Sequence, residues 1–564
     1  MINSQRLPKS TDISTSTEVE ESKMEKASVD IEVLDTTLRD GAQTSGVSFT
    51  VRDKLSITKK LDDLGISYIE GGWPGSNPKD ISYFKEVKSL KLRNSEVVAF
   101  GSTRKGGISC EEDTNLKALL DSNVRTAVVF GKTWKLHVAK VLKISNEENI
   151  RSISETISYL GRNGLQVIFD AEHFFDGYKD DQEYALKVLR AAEDAGAKVV
   201  VLADTNGGTL THEVASMVKA ARSSVSKPLG IHTHNDSGLA VANTLIAVAT
   251  GATHVQGTIN GLGERCGNAD LVQVIPGLEI KLGLKALKGR NGEGLKRLSA
   301  FSNYVCDLLN MPMNPYRPYV GAKAFAHKGG VHVDAVVKDR RAYEHIDPSV
   351  VGNRRELLVS ELAGRAAIIN EALKLGLRLE KQHESVARTL DEIKERESRG
   401  QFLESADASI HMLLCRNLGI KTTFFELLHW MAMASKQNVD KTEGQVIVKS
   451  DSEISYAQAT GVGPVHALDL SLRKALLTKF PALGDTVLTN FKVTVVDSGR
   501  GTASSVRVLI EFGNGKRRWA TTSVSENILE ASAQALAEGY NYALLSERMK
   551  ETASEETIKT TVLI

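Results

Sequence analysis

The stretch Asp35-Thr36-Thr37-Leu38-Arg39-Asp40-Gly41-Ala42-Gln43 closes an apolar, β-rich run that begins at Ile31. It places an arginine, two carboxylates and an amide at one strand-to-loop junction. A cation beside an acceptor-only carboxylate at the end of a strand suits a metal ion and an anionic carbonyl compound. Because an isolated Arg-Asp pair is more typical of a surface salt bridge, the rest of the chain has to decide between these two interpretations.

The fold class follows from seven further apolar runs that succeed the first one along the chain. The segments between them have apolar residues at three-to-four spacing, and several end in Gly65, Gly164, Gly196 or Gly251, where a helix C-cap is expected. Eight such β-then-α units predict an α/β fold, a (β/α)8 TIM barrel. A doubly wound open sheet is the alternative, but no GxGxxG follows the first run. The eight runs span residues 31–38, 68–73, 97–103, 126–131, 166–172, 198–205, 229–235 and 254–260.

A barrel of this kind carries its functional groups at the C-terminal ends of the strands. Polar side chains stand at these ends, which predicts one polar site at the barrel mouth. They are Arg39 and Asp40 after strand one, Glu70 in strand two, Glu172 in strand five, Thr205 after strand six, His232 and His234 in strand seven, and Asn268 in the loop after strand eight.

The two histidines of strand seven are candidate metal ligands. His232 and His234 are two residues apart, so both imidazoles face the same side of a strand. A lone histidine pair is more often structural, but Asp40 at the end of strand one and Asn268 in the next loop favour a divalent metal site. Nitrogen and oxygen ligands together fit zinc, manganese or magnesium without choosing between them.

Length, charge and cysteines bound the class of protein. At 564 residues the chain exceeds one ordinary domain, and a net charge of +1 gives no electrostatic reason to expect nucleic acid or a membrane surface as partner. Four scattered cysteines without a CxxC indicate neither a disulfide framework nor a zinc ribbon. No apolar run approaches the roughly 18 to 20 residues that span a bilayer. We therefore expect small-molecule partners, other subunits and a cytoplasmic location.

The first 29 residues are rich in Ser, Thr, Glu and Lys and lack the apolar core of a signal peptide, so residues 1–29 are predicted to form a disordered tail. A plastid or mitochondrial transit peptide is the alternative. Four glutamates argue against it: Glu18, Glu20, Glu21 and Glu25.

Residues 30–288 are expected to form the barrel, and residues 289–420 helical linker subdomains. In the linker, the segment 326–334 contains His332, a candidate for proton transfer; a solvated connector is the alternative. Residues 421–547 contain short strands followed by a helix in two copies, which predicts an α+β domain with an internal repeat that binds a ligand or dimerises. Residues 548–564 are expected to be a tail.

Three motifs carry a family resemblance: the strand-one stretch 35–41, His232-Thr233-His234-Asn235-Asp236, and Gly261-Leu262-Gly263-Glu264-Arg265-Cys266-Gly267-Asn268. Together they resemble the acyl-CoA-dependent Claisen-condensing enzymes, the family of 2-isopropylmalate, homocitrate and citramalate synthases. The resemblance runs from about residue 31 to 545 and includes a leucine-synthase-type C-terminal regulatory domain. Three other segments, residues 71–80, 130–137 and 170–178, are similar to the (R)-citramalate synthase branch of this family.

The resemblance implies an acyltransferase that condenses acetyl-CoA with pyruvate to (R)-citramalate and CoA, the first step of a threonine-independent route to isoleucine. It also implies a divalent metal ion, a homodimer, and inhibition by isoleucine at the C-terminal repeats. Trp73 is our hypothesis for the residue that narrows the site to pyruvate, since a methylene changes the free energy of binding in an apolar pocket by only roughly 1 to 3 kcal/mol.

Residue roles also follow from the resemblance. Asp40, His232 and His234 match the family's metal ligands, and Asn268 completes or supports the shell. Arg39 matches the arginine that stabilises the charge growing on the keto oxygen.

The remaining roles concern removal of a methyl proton from acetyl-CoA and binding of the substrate. Glu172 and His332 are the candidates for the proton transfer, and Tyr343 belongs to the same motif region as His332. In the family, the equivalent of His332 enters the barrel mouth of the partner subunit. The residues matched to substrate binding are Arg39, Gln43, Glu70 and Thr205.

Three alternatives remain. The first is a 2-isopropylmalate or homocitrate synthase that uses a larger 2-oxo acid. The second is a metal-dependent lyase or a carboxyltransferase of pyruvate, which the C-terminal repeats and the lack of an Ala-Met-Lys-Met biotin-attachment sequence disfavour. The third is a catalytically inactive amino-acid sensor, which would need the motif residues to be lost.

Overall fold

The computed structural model of the chain describes residues 30–289, 293–434 and 441–561, so the tail expected over residues 1–29 lies outside the described residues. The chain divides into two compact units, the first running to Met313 and the second containing most of the remainder. Within the described ranges, no helix combines the length and the apolar character that crossing a bilayer requires.

The first unit is a closed barrel of eight parallel strands, which confirms the predicted (β/α)8 fold. Each strand pairs with the next, and β8 closes the barrel by pairing with β1, with Val255 opposite Val33. Every predicted run overlaps one strand. The strands are β1 Glu32–Asp35, β2 Tyr68–Glu70, β3 Glu96–Ser102, β4 Thr126–Lys132, β5 Gln166–Glu172, β6 Val199–Asp204, β7 Leu229–Thr233 and β8 Ala252–Gly257.

Helices follow the strands around the barrel. The first begins with a capping box in which the Asp53 amide donates to Thr50 Oγ1 (3.1 Å) and the Thr50 amide donates to Asp53 Oδ2 (2.8 Å). The helices are α1 Val51–Leu64, α2 Pro78–Glu86, α3 Thr114–Asp121, the single turn α4 Lys135–His137, α5 Asn146–Arg162, α6 Phe174–Asp180, α7 Gln182–Asp194, α8 Thr211–Ser224, α9 Ala240–Ala249, α10 Leu271–Pro276 and α11 Leu298–Leu308.

Two hydrophobic layers result from the alternation of side chains along the strands. In β6, Val199 and Val201 belong to the cluster inside the barrel, whereas Val200 and Leu202 pack in the layer between strands and helices. At the end of α1, Gly65 has a φ of +99°, and a Cβ there would lie 2.1 Å from the Lys288 carbonyl oxygen. Only glycine therefore fits at this predicted C-cap.

The second unit begins with helices and one small two-stranded parallel sheet. Its helices bury an apolar cluster that includes Val333, Ile368, Leu390 and Leu413. The elements are β9 Ala326–His327, α12 Gly330–Lys338, β10 Glu356–Leu357, α13 Arg365–Lys374, α14 Glu384–Ser398 and α15 Asp407–Asn417.

Two copies of a βββα unit follow, and they confirm the predicted internal repeat. Each copy is a three-stranded antiparallel sheet, and the first strand of each has a register shift at a corresponding place, after Leu427 and after Leu488. These two shifts lie about sixty residues apart, the predicted offset. The copies are β11 Glu426–Ala434, β12 Thr442–Ser450, β13 Glu453–Gly461 and α16 Pro464–Leu476, then β14 Val487–Val495, β15 Val506–Gly513, β16 Arg518–Ser525 and α17 Ile528–Thr561.

Two features of this region differ from the sequence-based expectation. Strand β13 was not predicted, because its two large apolar residues, Ile454 and Tyr456, are separated by a serine and followed by small and polar residues, so that they form no continuous apolar run. Helix α17 continues to Thr561, so the expected domain end at residue 547 falls inside this helix.

A buried ion pair holds the loop that follows β2. Lys54 of α1 donates from Nζ to Asp80 Oδ1 (2.5 Å) and to the Gly71 carbonyl oxygen (3.0 Å). The other oxygen of Asp80 accepts from the amide of Trp73 (2.9 Å). The pair therefore fixes the backbone that carries Trp73 to the barrel mouth.

We expect Lys54→Met to lower the free energy of unfolding of the barrel unit by about 3 to 5 kcal/mol, because it leaves Asp80 buried without its cation. Urea denaturation followed by circular dichroism measures this loss. Lys59→Met, at an exposed position of the same helix, is the matched control and should change the free energy by less than about 0.5 kcal/mol. Adding Asp80→Asn to Lys54→Met should restore part of the loss; equal losses in the two lysine variants would contradict the assignment.

Candidate active site at the barrel mouth

The turn after β1 brings Arg39 and Asp40 over the barrel mouth. The amides of Arg39, Asp40 and Gly41 all donate to the Thr36 carbonyl oxygen, at 3.1, 2.8 and 3.1 Å. The carboxylate of Asp35 supports the turn by accepting from the amide (3.0 Å) and the hydroxyl (2.8 Å) of Thr37. The residues after Thr36 therefore form a tight turn around its carbonyl oxygen, while the Thr36 amide donates to the Gly257 carbonyl oxygen of β8 (2.8 Å).

Asp40, His232 and His234 form a buried cluster that could hold a metal ion, with one ligand atom of each within 4.8 Å of the others. His232 Nε2 lies 3.3 Å from His234 Nε2 and 3.5 Å from Asp40 Oδ2. Burial lowers the pKa of both histidines, that of His234 to about 4, so both rings are neutral at pH 7. Burial would raise the pKa of Asp40, but the positive charge of Arg39 holds it below its usual value. Two neutral imidazoles and one carboxylate are the donor set that a divalent metal ion requires.

Asn268 adds a further oxygen to this cluster. Its Nδ2 donates to the Leu262 carbonyl oxygen (3.0 Å), and its Oδ1 is buried without a hydrogen-bond partner among the described residues. An isolated antiparallel β-bridge between the backbones of His234 and Asn268 joins the end of β7 to the loop after β8. A buried acceptor oxygen without a donor is costly unless it binds a ligand, so the residues present fit a metal ion.

A chain of hydrogen bonds behind the cluster orients His232. Gln256 of β8 donates from Nε2 to Asp170 Oδ1 (2.9 Å), which leaves its Oε1 to accept from His232 Nδ1 at 2.9 Å. This arrangement selects the tautomer with the lone pair on Nε2, the nitrogen that faces Asp40 and His234. Gln256 was not a sequence-based candidate, and Asp170 was noted only as the first residue of the segment 170–178. The sequence signal that could have identified Gln256 is a polar residue within an apolar strand, at a position where the side chain points into the barrel.

Arg39 is held on three sides. Its Nε donates to Glu70 Oε2 (2.6 Å), its Nη1 lies 3.4 Å from Asp40 Oδ2, and its Cζ lies 3.8 Å above the centre of the Phe100 ring. Burial opposes its charge, but the carboxylates of Glu70 and Asp40 raise its pKa above the usual value. The guanidinium is therefore charged and fixed, with Nη2 free of these three contacts.

Three aromatic rings form a wall beside Arg39. Trp73 makes edge contacts with Phe100 (centroids 5.5 Å apart) and Phe130 (5.6 Å), and the two phenylalanines stack at 5.3 Å. The indole Nε1 donates to Asn115 Oδ1 (2.7 Å). Of these rings, the sequence analysis singled out Trp73 alone; Phe100 and Phe130 looked like ordinary residues of apolar strands.

The other predicted barrel residues are more loosely engaged. Glu172 at the end of β5 is half-buried and forms an ion pair with Lys132 of β4. The hydroxyl of Thr205 accepts from the amide of His173 (2.9 Å). Gln43 is exposed, in the short helical turn 41–43 after Asp40.

His332 and Tyr343 lie in the second unit. Their rings stack at 4.1 Å with an interplanar angle of 24°, and both side chains are exposed. The structure thus brings these two candidates together as a pair.

Comparisons with known proteins cover almost the whole chain. Three family models match: HMGL-like over residues 30–301, Homocitrate synthase post-HMGL domain-like over 319–401, and LeuA allosteric (dimerisation) domain over 404–544. The chain is 49% identical to an (R)-citramalate synthase of Sulfolobus acidocaldarius, covering 92% of this chain and 98% of that one. It is 46% identical to an (R)-citramalate synthase of Geobacter sulfurreducens, covering 91% and 97%. It is 32% identical to a 2-isopropylmalate synthase of Methanocaldococcus jannaschii, covering 92% and 95%.

We expect Gln256→Leu to weaken the binding of a divalent metal ion about 10- to 100-fold, because His232 loses the acceptor that fixes its tautomer. Calorimetric titration of the metal-free protein with zinc or manganese measures the affinity. Gln166→Leu, the same change at the exposed opposite end of a barrel strand, is the control and should leave the affinity unchanged. An affinity that Gln256→Leu does not alter would contradict the role of this hydrogen-bond chain.

Proposed function

This chain belongs to the family of the (R)-citramalate and 2-isopropylmalate synthases, and from that premise we propose that it condenses acetyl-CoA with pyruvate to form (R)-citramalate and CoA. The relatives named as (R)-citramalate synthases share clearly more of their sequence with this chain than the 2-isopropylmalate synthase does. The product would enter a threonine-independent route to isoleucine. The observation that carries the proposal beyond the family is the fixed guanidinium of Arg39 beside a wall of three aromatic rings, which suits a small 2-oxo acid.

Asp40, His232 and His234 would hold the divalent ion, zinc, manganese or magnesium, with Asn268 as a fourth or supporting ligand. When bound, such an ion polarises the ketone of a 2-oxo acid as a Lewis acid. The low pKa values of the histidines support this role, because neither ring has to lose a proton before it coordinates.

Arg39 would stabilise the negative charge that develops on the keto oxygen when the carbon–carbon bond forms. Its guanidinium is fixed by Glu70 and by the Phe100 ring before substrate arrives, so little reorganisation is needed. Glu70 therefore acts on the substrate through Arg39. Gln43 and Thr205 are assigned to substrate binding at the edge of the same mouth.

The methyl group of acetyl-CoA must lose a proton to a positioned base. Glu172 and His332 are the candidates, and Tyr343 stacks on His332. Glu172 forms an ion pair with Lys132 at the ends of neighbouring strands, which holds its carboxylate at the barrel mouth. We propose that His332 and Tyr343 act at the barrel mouth of the partner subunit, as the family resemblance implies, so that the homodimer is the active form.

The C-terminal repeats are assigned to feedback inhibition by isoleucine. The match to a LeuA allosteric (dimerisation) domain over residues 404–544 supports both regulation and the homodimer. An unchanged reaction rate in millimolar isoleucine would contradict the choice of effector.

The proposed reaction is tested by release of CoA from acetyl-CoA, followed with a thiol reagent. We expect release only when a 2-oxo acid is present, with kcat/KM for pyruvate at least about tenfold above that for 2-oxoisovalerate or 2-oxoglutarate. Preference for a branched acid would make the chain a 2-isopropylmalate-type synthase. Cleavage of the carbon–carbon bond of citramalyl-CoA to pyruvate and acetyl-CoA, with the thioester left intact and no CoA released, would indicate a lyase.

We expect Trp73→Ala to raise the ratio of kcat/KM for 2-oxoisovalerate to that for pyruvate by about tenfold or more, because it removes the largest ring of the aromatic wall. Steady-state kinetics with both acids measure the ratio. Trp134→Ala is the matched control: its ring stacks on His137 instead, 5.5 Å away, and its removal should leave the ratio unchanged. A ratio that does not move in Trp73→Ala would mean that another group excludes the larger acid.

A further inference from the structure

The second unit contains a cavity of about 790 Å3 that the proposed reaction does not use. Its walls come from the turn after α12, strand β10, helix α13, the start of α15 and strand β16. None of the residues placed in the reaction lines it. The volume lies within the roughly 300 to 1,000 Å3 typical of small-molecule sites.

The lining is strongly cationic. Six lysines and arginines face three carboxylates, so the walls carry a surplus of positive charge. A concave surface lined by one sign of charge concentrates ions of the opposite sign. The six cations are Lys323, Arg340, Arg354, Arg355, Lys374 and Arg518.

Four of these cations already have a carboxylate partner. Lys323 pairs with Glu356 (3.0 Å), Arg340 with Asp347 (3.5 Å), Lys374 with Glu371 (2.7 Å) and Arg355 with Glu344.

Arg354 and Arg518 differ from the other four. Neither lies within 4 Å of a carboxylate oxygen in the part of the chain that the structure describes, although both line the cavity. Two guanidinium groups from separate elements can each present a planar fork to an oxyanion. Two such forks suit a ligand with two anionic groups.

The remaining lining residues limit what else such a ligand can contain. The lining includes three aliphatic side chains, Val336, Val337 and Leu357, and no aromatic ring on which a base could stack. Recognition of a nucleobase ordinarily uses such stacking. The lining therefore favours the anionic oxygens of a ligand over a nucleobase, and the cavity is larger than a single small dicarboxylate would fill.

We propose that this cavity binds a diphosphate group, held by Arg354 and Arg518. The group has two possible sources: a free diphosphate, inorganic or on a nucleotide, or the diphosphate of a CoA molecule. The binding itself does not depend on the proposed reaction.

The test is calorimetric titration of the full-length protein with pyrophosphate and with ADP. The wild type should bind both, with affinities within about threefold of each other because the base is not read, and binding should weaken steeply with added salt. Arg354→Ala and Arg518→Ala should each weaken binding at least about tenfold. Arg341→Ala, an exposed arginine paired with Asp339 outside the lining, is the control and should bind as the wild type does.

Pyrophosphate could also remove a metal ion from the barrel, but that heat would be the same in the control. Binding at the cavity is therefore measured only by the part of the binding heat that disappears in Arg354→Ala and Arg518→Ala. If an alanine variant fails to fold, Arg354→Lys keeps the charge and should still weaken binding, because lysine lacks the planar fork. Absence of binding to the wild type, binding that survives both alanine substitutions, or binding of citrate in place of pyrophosphate would each overturn the proposal.

Kinetics distinguish the two sources. If the cavity holds the nucleotide end of CoA, Arg354→Ala and Arg518→Ala raise KM for acetyl-CoA about as much as they weaken pyrophosphate binding, with little change in kcat. If the ligand is a free diphosphate, KM for acetyl-CoA stays at the wild-type value while pyrophosphate binding is lost. Failure of the condensation assay leaves the calorimetric result unaffected, so the two proposals fail separately.

Discussion

The structure depends on how buried negative charge is balanced at the barrel mouth. Asp40 and Glu70 both contact the guanidinium of Arg39, and their negative charges raise its pKa above the usual value. Burial raises the pKa of Asp170 to about 8 and that of Asp35 to about 7, so protonation relieves part of the charge near neutral pH. Asp40, in contrast, stays ionised. One carboxylate is thus kept as an anion beside two neutral histidines, and a bound cation would complete the balance.

The barrel topology is what makes this balance possible. Strands β1, β7 and β8 are neighbours in the closed sheet, so Asp40, His232 and Asn268 meet although they are far apart in the chain. The loop after β8 must fold tightly to deliver Asn268. Gly267, at φ +85°, allows this, because a Cβ there would lie 1.9 Å from the Gly261 carbonyl oxygen. The glycines of that loop therefore have a geometric role in addition to any chemical one.

The sequence predicted the parts of this site that depend on local periodicity. The alternation of the apolar runs identified eight strands, and the rule that active groups stand at strand ends identified Asp40, His232 and His234. Gln256 and Phe100 escaped notice because their importance lies in contacts across the barrel, with Asp170 and with Arg39, that no spacing along the chain encodes. Strand β13 escaped for a different reason: hydrogen bonds to β12, not apolar character, define it.

Selection of a small 2-oxo acid requires that the rings of the aromatic wall stay in one position, because a ring that changes to another rotamer would admit a larger substrate. Trp73 meets this requirement at both ends of the residue: its amide is held by Asp80, and its indole nitrogen by Asn115. Asp80 is in turn fixed by the buried Lys54. The Lys54–Asp80 ion pair and the aromatic wall are therefore linked through the backbone amide of Trp73, and the selectivity that we propose for Trp73 would depend on this buried pair.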